Sequence, residues 1–207
     1  MSDNSVPTIS FLGAAENVTG SKYLLKANGK KILIDCGLYQ ERHLVERNWD
    51  KFPQQPDTID AILLTHAHLD HSGWIPRLAK LGFKGKIYGT PATIDIAKIV
   101  LKDCGHIQEE DAAFKIKRHK KESKQSPRPI EALYTALEAE ACFEQFSPVE
   151  YKKTAQIGPG IEACFYDAGH ILGSSMIKVK VEYNGQTKSI LFSGDVGRVN
   201  RPMLKDP

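Results

Sequence analysis

Three histidines and one aspartate lie within six residues of the chain, in the order His66, His68, Asp70 and His71. Imidazole and carboxylate groups together form the ligand set that zinc and similar divalent metals prefer. The preceding apolar run, residues 61–64, is typical of a buried strand, so the ligands follow the strand end at which open α/β sheets place their sites. A solvated histidine-rich loop is the alternative interpretation, but ligands this closely spaced favour a metal site.

Three further metal-capable residues, Asp35, His170 and Asp195, each follow a predicted strand. In an extended segment the side chains of His66 and His68 point to the same side, so His170 could join them around one ion. Asp195 has two carboxylate oxygens and could bridge this ion to a second one. A water bound between the two ions would have its pKa lowered enough to attack as hydroxide at neutral pH. Asp35 could instead hydrogen-bond a ligand and orient it. Taken singly, a turn aspartate and an ordinary hydrogen-bonded histidine are the simpler interpretations.

The remaining two residues of the cluster, Asp70 and His71, follow as the chain turns and could bind that second ion. The candidate metal ligands are therefore His66, His68, Asp70, His71, His170 and Asp195, and Asp70 and Asp195 are the candidate catalytic residues.

Strands are predicted where apolar residues run together or alternate, namely at residues 8–12, 21–27, 31–36, 61–64, 86–88, 161–168, 176–183 and 188–192. Asn28-Gly29 and Asn184-Gly185 each separate two of these strands, which is a strong hairpin signal because a type I′ turn needs positive φ at both positions. Each half of the chain thus contains a strand, an Asn-Gly turn, a second strand and an acidic residue. This plan predicts an α/β protein.

Helices are predicted after Ser72, from Thr90-Pro91 and from Thr135, where a hydroxyl side chain can cap each first turn. The first would bury Trp74, Leu78 and Leu81 and stop at Gly82, and the second would bury Ala92, Ile96, Ile99, Val100 and Asp103. The third begins with a capping box, Thr135 to Glu138, and carries Ala139, Cys142, Phe143 and Phe146 at helical spacing. Residues 105–130 are expected to be a surface excursion, partly mobile, and residues 38–58 a surface connection.

The chain has 207 residues, enough for one domain with a real core, and its 41% hydrophobic and 26% charged residues argue against disorder. The net charge of +3 neither requires nor excludes a nucleic-acid partner. The amino-terminal residues show no signal peptide, and no apolar run reaches membrane-spanning length. Four widely spaced cysteines favour a reducing compartment, so we expect a cytoplasmic protein with no membrane partner.

A basic run between residues 115 and 124 offers candidate contacts to nucleic-acid phosphates at Lys115, Lys117, Arg118, Lys120 and Lys121. A solvated loop balanced by the acidic residues 108–111 is the alternative. No aromatic residues alternate with these cations to form a base-stacking platform.

Residues 66–71 resemble the signature of the metallo-β-lactamase superfamily, and the details resemble its β-CASP branch, the nucleases that include RNase J and the mRNA 3′-end cleavage endonuclease. Residues 13–21, 34–37, 168–174 and 192–198 look like further motifs of that branch. The resemblance implies an αββα sandwich, two zinc ions and phosphodiester hydrolysis. A true β-lactamase is less expected, since those enzymes lack the second-site histidine or use a cysteine ligand, and carry export signals.

In that family the counterpart of Asp195 is followed by the inserted β-CASP domain and then by the rest of the lactamase fold, with two further histidines. One of these is a second-metal ligand, and the other protonates the leaving group. Residues 1–207 are therefore expected to form the amino-terminal part of the fold, with the β-CASP domain following. One zinc site would be empty or weak without the later ligand.

The sequence thus favours a metal-dependent nuclease acting on RNA, with DNA not excluded. One alternative is a catalytically incomplete fragment or a non-catalytic subunit that binds RNA or protein. Another is a small-molecule metallohydrolase of the same superfamily, such as a thioesterase or lactonase. Manganese or iron could replace zinc with these ligands. The chain could also form a homodimer.

Overall fold

The computed structural model describes residues 6–123, 125–126 and 128–207, and in it two β-sheets face each other. The first sheet contains, in spatial order, β1 (Thr8–Gly13), β2 (Lys22–Ala27), β3 (Lys30–Ile34), β4 (Ala61–Leu63), β5 (Lys86–Gly89) and β6 (Phe146–Pro148). The strands β1 to β3 pair antiparallel, and β3 to β6 pair parallel. The second sheet is an antiparallel meander of β7 (Thr154–Gly158), β8 (Ile161–Asp167), β9 (Ser175–Tyr183) and β10 (Gln186–Phe192).

Both predicted Asn-Gly hairpins are confirmed. Asn28 and Gly29 have φ of +49° and +72°, and Asn184 and Gly185 have φ of +50° and +71°. These are the positive values at both central positions that a type I′ turn requires. The two turns therefore set the register of the β2–β3 and β9–β10 pairs. The strand β7 was not predicted from the sequence.

Two apolar cores separate the layers. One lies between the sheets, where Ile177, Val179 and Val181 of β9 are buried on the predicted face. The other lies between the first sheet and the helices α1 (Leu69–Ser72), α2 (Ile75–Lys80), α3 (Pro91–Glu122) and α4 (Ala136–Ala141). Within the described residues, no helix contributes to the core between the sheets. The described chain thus forms three layers, in the order helix, sheet and sheet.

The helix α3 differs from its prediction. Thr90 caps it as expected, accepting a hydrogen bond from the Thr93 amide at 3.2 Å. However, the helix continues for 32 residues, so most of the expected surface excursion is helical. The predicted buried face is wrong in part, because Ile99 is 70% exposed, whereas Ile96 does pack against the core. The true buried face carries Thr93, Ile94, Ala97, Leu101 and Gly105.

Close packing against α4 explains this choice of face. A Cβ on Gly105 would lie 2.7 Å from the backbone nitrogen of Ala136, so only a glycine allows the two helices to approach this closely. The apolar residues of α3 are spread around its circumference, and their periodicity alone could not identify the small-residue face that α4 contacts.

The other two helices are shorter than predicted. Ser72 ends α1 instead of starting a helix, and its hydroxyl donates to the carbonyl oxygens of Ala67 and His68 at 3.0 Å. Leu81 is 43% exposed rather than buried. The capping box of α4 is confirmed, but this helix ends at Ala141, and Phe146 begins β6. Parallel pairing with β5 thus overrides the helical spacing of the aromatic residues there.

Candidate metal centre

The metal-capable residues lie where strands of both sheets end. Asp35 follows β3, His66 follows β4, and His170 and Asp195 follow β8 and β10. Backbone hydrogen bonding joins the two sheets at this rim, because the carbonyl oxygen of Thr65 accepts hydrogen bonds from the amide and hydroxyl of Ser175 at 2.8 and 2.9 Å. The fold therefore brings together residues that are up to 160 positions apart in sequence.

Four side chains converge on one point. His66, His68, His170 and Asp195 each present a ligand atom, and these four atoms lie within 4.8 Å of one another. Nδ1 of His68 is 3.1 Å from Nε2 of His66 and 3.2 Å from Nε2 of His170. A tetrahedral zinc ion with bonds of about 2.0–2.1 Å needs ligand atoms about 3.3 Å apart. The donor set and its spacing fit such an ion.

Asp195 faces a second group of ligands with its other oxygen. Its Oδ2 lies 3.5 Å from Nε2 of His170, whereas its Oδ1 lies 3.3 Å from Nε2 of His71. Oδ2 of Asp70 is 3.7 Å from the same His71 nitrogen. The Asp195 carboxylate thus lies between a three-histidine group and the pair formed by Asp70 and His71.

Asp35 lies behind this second group. It is 1% exposed, and its Oδ1 accepts the Thr65 amide at 2.7 Å. Its Oδ2 accepts the Thr65 hydroxyl at 2.8 Å and lies 2.7 Å from Nδ1 of His71. Because Nδ1 is engaged, Nε2 of His71 is directed toward Asp70 and Asp195. Asp35 therefore orients a candidate ligand and does not point at the candidate metal itself.

The two buried histidines differ in their proton affinity. Burial, and to a smaller extent the neighbouring imidazoles of His71, His68 and His170, lower the pKa of His66 to about 2. Burial also opposes the charge on His71, but the Asp35 carboxylate, with smaller contributions from Asp70 and Asp195, prevails and raises its pKa to about 9. Burial lowers the pKa of His170, against the effect of Asp195. His66 is thus held in the neutral form that binds metals.

The backbone around the ligands is tightly constrained. The amides of Ser21 and Cys36 donate to the carbonyl oxygens of Asp70 and His71 at 2.9 and 2.7 Å. A Cβ on Gly37 would lie 1.6 Å from the Asp70 carbonyl oxygen, so only glycine fits at this position. The start of α1 is therefore held in place by the segment that follows β3.

A cavity of about 350 Å³ opens beside the second group. It is lined by Asp35, His71 and Asp195, by Tyr23, by the loop between β1 and β2, and by residues 191–194. A cavity of this size is within the range of ligand-binding sites.

The five candidate nucleic-acid contacts lie elsewhere. They are exposed on the carboxyl-terminal part of α3, whereas Thr90 and Thr93 at its start donate to the Gly173 carbonyl oxygen near His170, each at 2.7 Å. Lys115 follows Pro91 by 24 residues, which corresponds to about 36 Å along the helix axis. The structure thus does not bring these cations to the metal-capable residues. Lys115 and Arg118 instead line a separate cavity of about 380 Å³.

Sequence reasoning missed three supporting residues. Thr65 hydrogen-bonds Asp35, and the Ser174 hydroxyl accepts the amides of His170 and Ile171 at 3.0 and 3.2 Å. Glu41 holds the loop between β1 and β2. The position of Thr65 directly before His66 was a usable signal, whereas nothing local in the sequence distinguishes Glu41.

The fold and the histidine cluster together define a metal-binding α/β sandwich with its site at the strand ends. A family model described as a metallo-beta-lactamase superfamily domain matches residues 24–196, and the chain belongs to the metallo-β-lactamase superfamily. The expectation drawn from residues 66–71 is thereby confirmed at the level of the superfamily.

Among curated relatives, ribonuclease TTHA0252 of Thermus thermophilus is 33% identical over 195 residues, covering 94% of this chain and 39% of the relative. Transcription termination factor FttA of Methanocaldococcus jannaschii is 30% identical over 194 residues, covering 91% and 27%. Cleavage and polyadenylation specificity factor 73 of Drosophila melanogaster is 31% identical, covering 90% and 24%. The chain therefore spans about a quarter to two fifths of the length of these relatives.

Solved structures give the same fold. A metallo-β-lactamase of Cronobacter sakazakii with a HARLDQ motif superposes with a TM-score of 0.53 at 18% identity, covering 94% of this chain and 58% of the other. This similarity establishes the fold and no more. In the described part of the chain, no helix is both long and apolar enough to span a membrane.

Proposed function

We propose that this chain forms the metal-binding part of a nuclease that hydrolyses phosphodiester bonds in RNA. The observation that carries the proposal is the position of the Asp195 carboxylate, with Oδ2 facing the histidines of one group and Oδ1 facing His71 of the other. A carboxylate placed in this way can bridge two ions, and paired ions are a recurring device for hydrolysing phosphodiesters.

We assign His66, His68 and His170 to a first ion, Asp70 and His71 to a second, and Asp195 to both. Nδ1 of His68 lies 3.1 and 3.2 Å from the other two histidine nitrogens, and this spacing suits zinc, as do the nitrogen and oxygen donors, while manganese or iron could also use these ligands. When bound, such a pair of ions activates a water nucleophile and stabilises charge on the attacked phosphoryl group.

The protein's own groups then have distinct tasks. Asp195 would be a ligand shared by both ions, and Asp70 would complete the second group beside the cavity. Asp35 accepts a hydrogen bond from Nδ1 of His71 and so directs Nε2 toward the second group, where a bound metal would replace the Nε2 proton. We therefore propose Asp70 and Asp195 as the residues closest to the reaction, and Asp35 as the residue that orients His71.

RNA is the proposed substrate because the relatives include a protein named as a ribonuclease, in addition to the transcription termination and polyadenylation factors. We place the chain in the β-CASP branch for the same reason. Residues 1–207 are assigned to one domain of this fold, and a β-CASP domain after residue 207 stays a prediction. The cytoplasmic location and the homodimer also stay predictions.

The test is a combined metal and cleavage assay on the purified chain. We expect one to two zinc ions per chain and cleavage of a labelled RNA that stops with chelator. His68→Ala should lose metal and reduce cleavage by about 100-fold or more, as expected when a metal ligand is removed. His106→Ala is the matched control, since His106 is an exposed histidine of α3. Cleavage that is equal in the chain and in His68→Ala would refute the proposal.

A second candidate is an RNA-binding chain that holds one ion and does not cleave. It is favoured by the second group, where the described residues supply only His71, Asp70 and Asp195. One zinc per chain, with RNA bound but uncleaved in zinc, manganese and iron, would support it over the nuclease.

A further inference from the structure

One wall of the cavity beside the second metal group is a loop, residues 14–21, which we call the first loop. Ala14, Asn17, Val18 and Ser21 of this loop line the cavity together with His71 and Asp195. A substrate that reaches the proposed ions from this side must pass the first loop. Its position therefore bears on substrate binding.

The tip of the first loop has little apolar support. Val18 at its tip is 81% exposed, so it does not anchor the loop in a core. Ala14 and Glu16 have φ of +48° and +64°, a left-handed conformation that residues other than glycine rarely adopt. Such a backbone persists only when surrounding groups hold it.

Glu41, in the segment after β3, supplies that support. Its Oε1 accepts the backbone amides of Val18 and Thr19 at 3.0 and 2.9 Å, and its Oε2 accepts the Thr19 hydroxyl. The Thr19 hydroxyl in turn accepts the Gln40 amide at 2.8 Å. The Asn17 side-chain amide also donates to Oε1, at 3.4 Å, so one carboxylate binds four donors of the first loop at its tip.

The charge of Glu41 matches this role. The Thr19 hydroxyl, followed by the backbone amide of the same residue, holds the pKa of the Glu41 carboxyl well below its usual range. The group stays ionised at neutral pH, and hydrogen bonds to an ionised acceptor are stronger than those between neutral groups.

We propose that Glu41 is a positioning residue, which fixes the first loop as a wall against which RNA binds and so acts on substrate affinity, not on the chemical step. This inference rests on the proposed nuclease function. No substrate atom needs to touch Glu41, because its effect is transmitted through the backbone of Val18 and Thr19.

The experiment compares Glu41→Ala and Thr19→Val with two controls. Glu144→Gln removes the charge of an exposed carboxyl group outside the first loop, and Thr19→Ser keeps the hydroxyl. Amide hydrogen exchange at Val18 and Thr19 should accelerate about 10- to 100-fold in Glu41→Ala, as expected for lost charge-assisted hydrogen bonds. Metal content should be unchanged.

Kinetics on RNA give the decisive readout. Glu41→Ala should raise KM about tenfold and leave kcat within about twofold, the pattern of a lost binding interaction. Thr19→Val should move both exchange and KM in the same direction, while Thr19→Ser and Glu144→Gln should match the unmodified chain. Thr19→Val keeps the test usable if Glu41→Ala does not fold.

The two levels of the proposal fail in different ways. If the unmodified chain cleaves RNA but Glu41→Ala and Thr19→Val leave KM unchanged or reduce only kcat, the positioning role is wrong and the nuclease stands. If the unmodified chain cleaves no RNA with zinc, manganese or iron, the nuclease proposal fails and the role of Glu41 in substrate binding fails with it.

Discussion

Lys22 is a buried lysine whose charge should make the stability of this protein depend on pH. Its side chain is 4% exposed, and its Nζ donates to the carbonyl oxygens of Gly37 and Gly20, on the two segments that flank the metal centre. Burial lowers the pKa of Lys22 from 10.5 to about 8, with smaller effects of Cys36 and Arg47. The folded protein therefore binds this proton less tightly than the unfolded chain does.

The sign and size of the effect follow from proton linkage. Between pH 8 and 10.5 the unfolded chain holds more protons on Lys22, so the free energy of unfolding rises with pH across this window. At about 1.4 kcal/mol per pH unit, the full gain from this one group is about 3 kcal/mol. Lys22→Met removes the titration, and it also removes two hydrogen bonds worth about 1 kcal/mol each.

The assay is urea unfolding of the chain and of Lys22→Met at pH 7 to 10.5, with chelator present so that metal binding does not contribute. We expect the unmodified chain to gain about 3 kcal/mol relative to Lys22→Met between pH 8 and 10.5. Lys84→Met, at an exposed lysine, is the control and should show no such gain. A stability difference between the chain and Lys22→Met that is constant over this range would refute the reasoning.

Three further predictions concern the site and its surroundings. Asp35→Asn should lower the affinity for the second ion about 10- to 100-fold and leave the affinity for the first unchanged, because Asp35 contacts only His71 among the proposed ligands. Zinc titration measures both affinities, and equal loss of both ions would contradict the prediction. Gly37→Ala should destabilise the fold by about 3 kcal/mol or more, since its Cβ would meet the Asp70 carbonyl oxygen. Gly89→Ala should cost much less, because the atom nearest to its added Cβ is 3.6 Å away. Thermal unfolding compares the two variants, and similar losses of stability would contradict the prediction. Neutralising the cations of α3 should weaken binding of a 30-nucleotide RNA but not cleavage of a six-nucleotide RNA. The reason is that the length of about 36 Å along α3 from Pro91 to Lys115 corresponds to about ten stacked nucleotides, which only the longer RNA can span. Fluorescence anisotropy and a cleavage assay test this, and equal effects on both RNAs would contradict it. The cations to be changed are Lys115, Lys117, Arg118, Lys120 and Lys121.

Much of the fold could be predicted because its signals are local. Asn28-Gly29 and Asn184-Gly185 specify hairpins through their own backbone preferences, and Thr90 specifies a helix start through its own hydroxyl. The alternation of Ile177, Val179 and Val181 identified the buried face of β9 because successive strand residues point to opposite sides. In each case the information lies within a few residues.

The errors arose where distant contacts decide the structure. The buried face of α3 includes Gly105, which meets Ala136, 31 residues further along. The β6 strand replaces a helical turn at Phe146 because it pairs with β5. Neither contact can be recognised from the hydrophobic periodicity of the segment itself.

The same division holds at the candidate metal centre. The sequence by itself determined which residues could bind a metal and that they follow strands, since ligand chemistry and strand patterns are properties of short segments. Only the tertiary structure decided that the two oxygens of Asp195 face different groups, that Asp35 bonds His71, and that Glu41 holds the first loop. The physical reason is that a hydrogen bond or shared ligand depends on the distance between side chains tens of residues apart, and that distance is set by the packing of the two sheets.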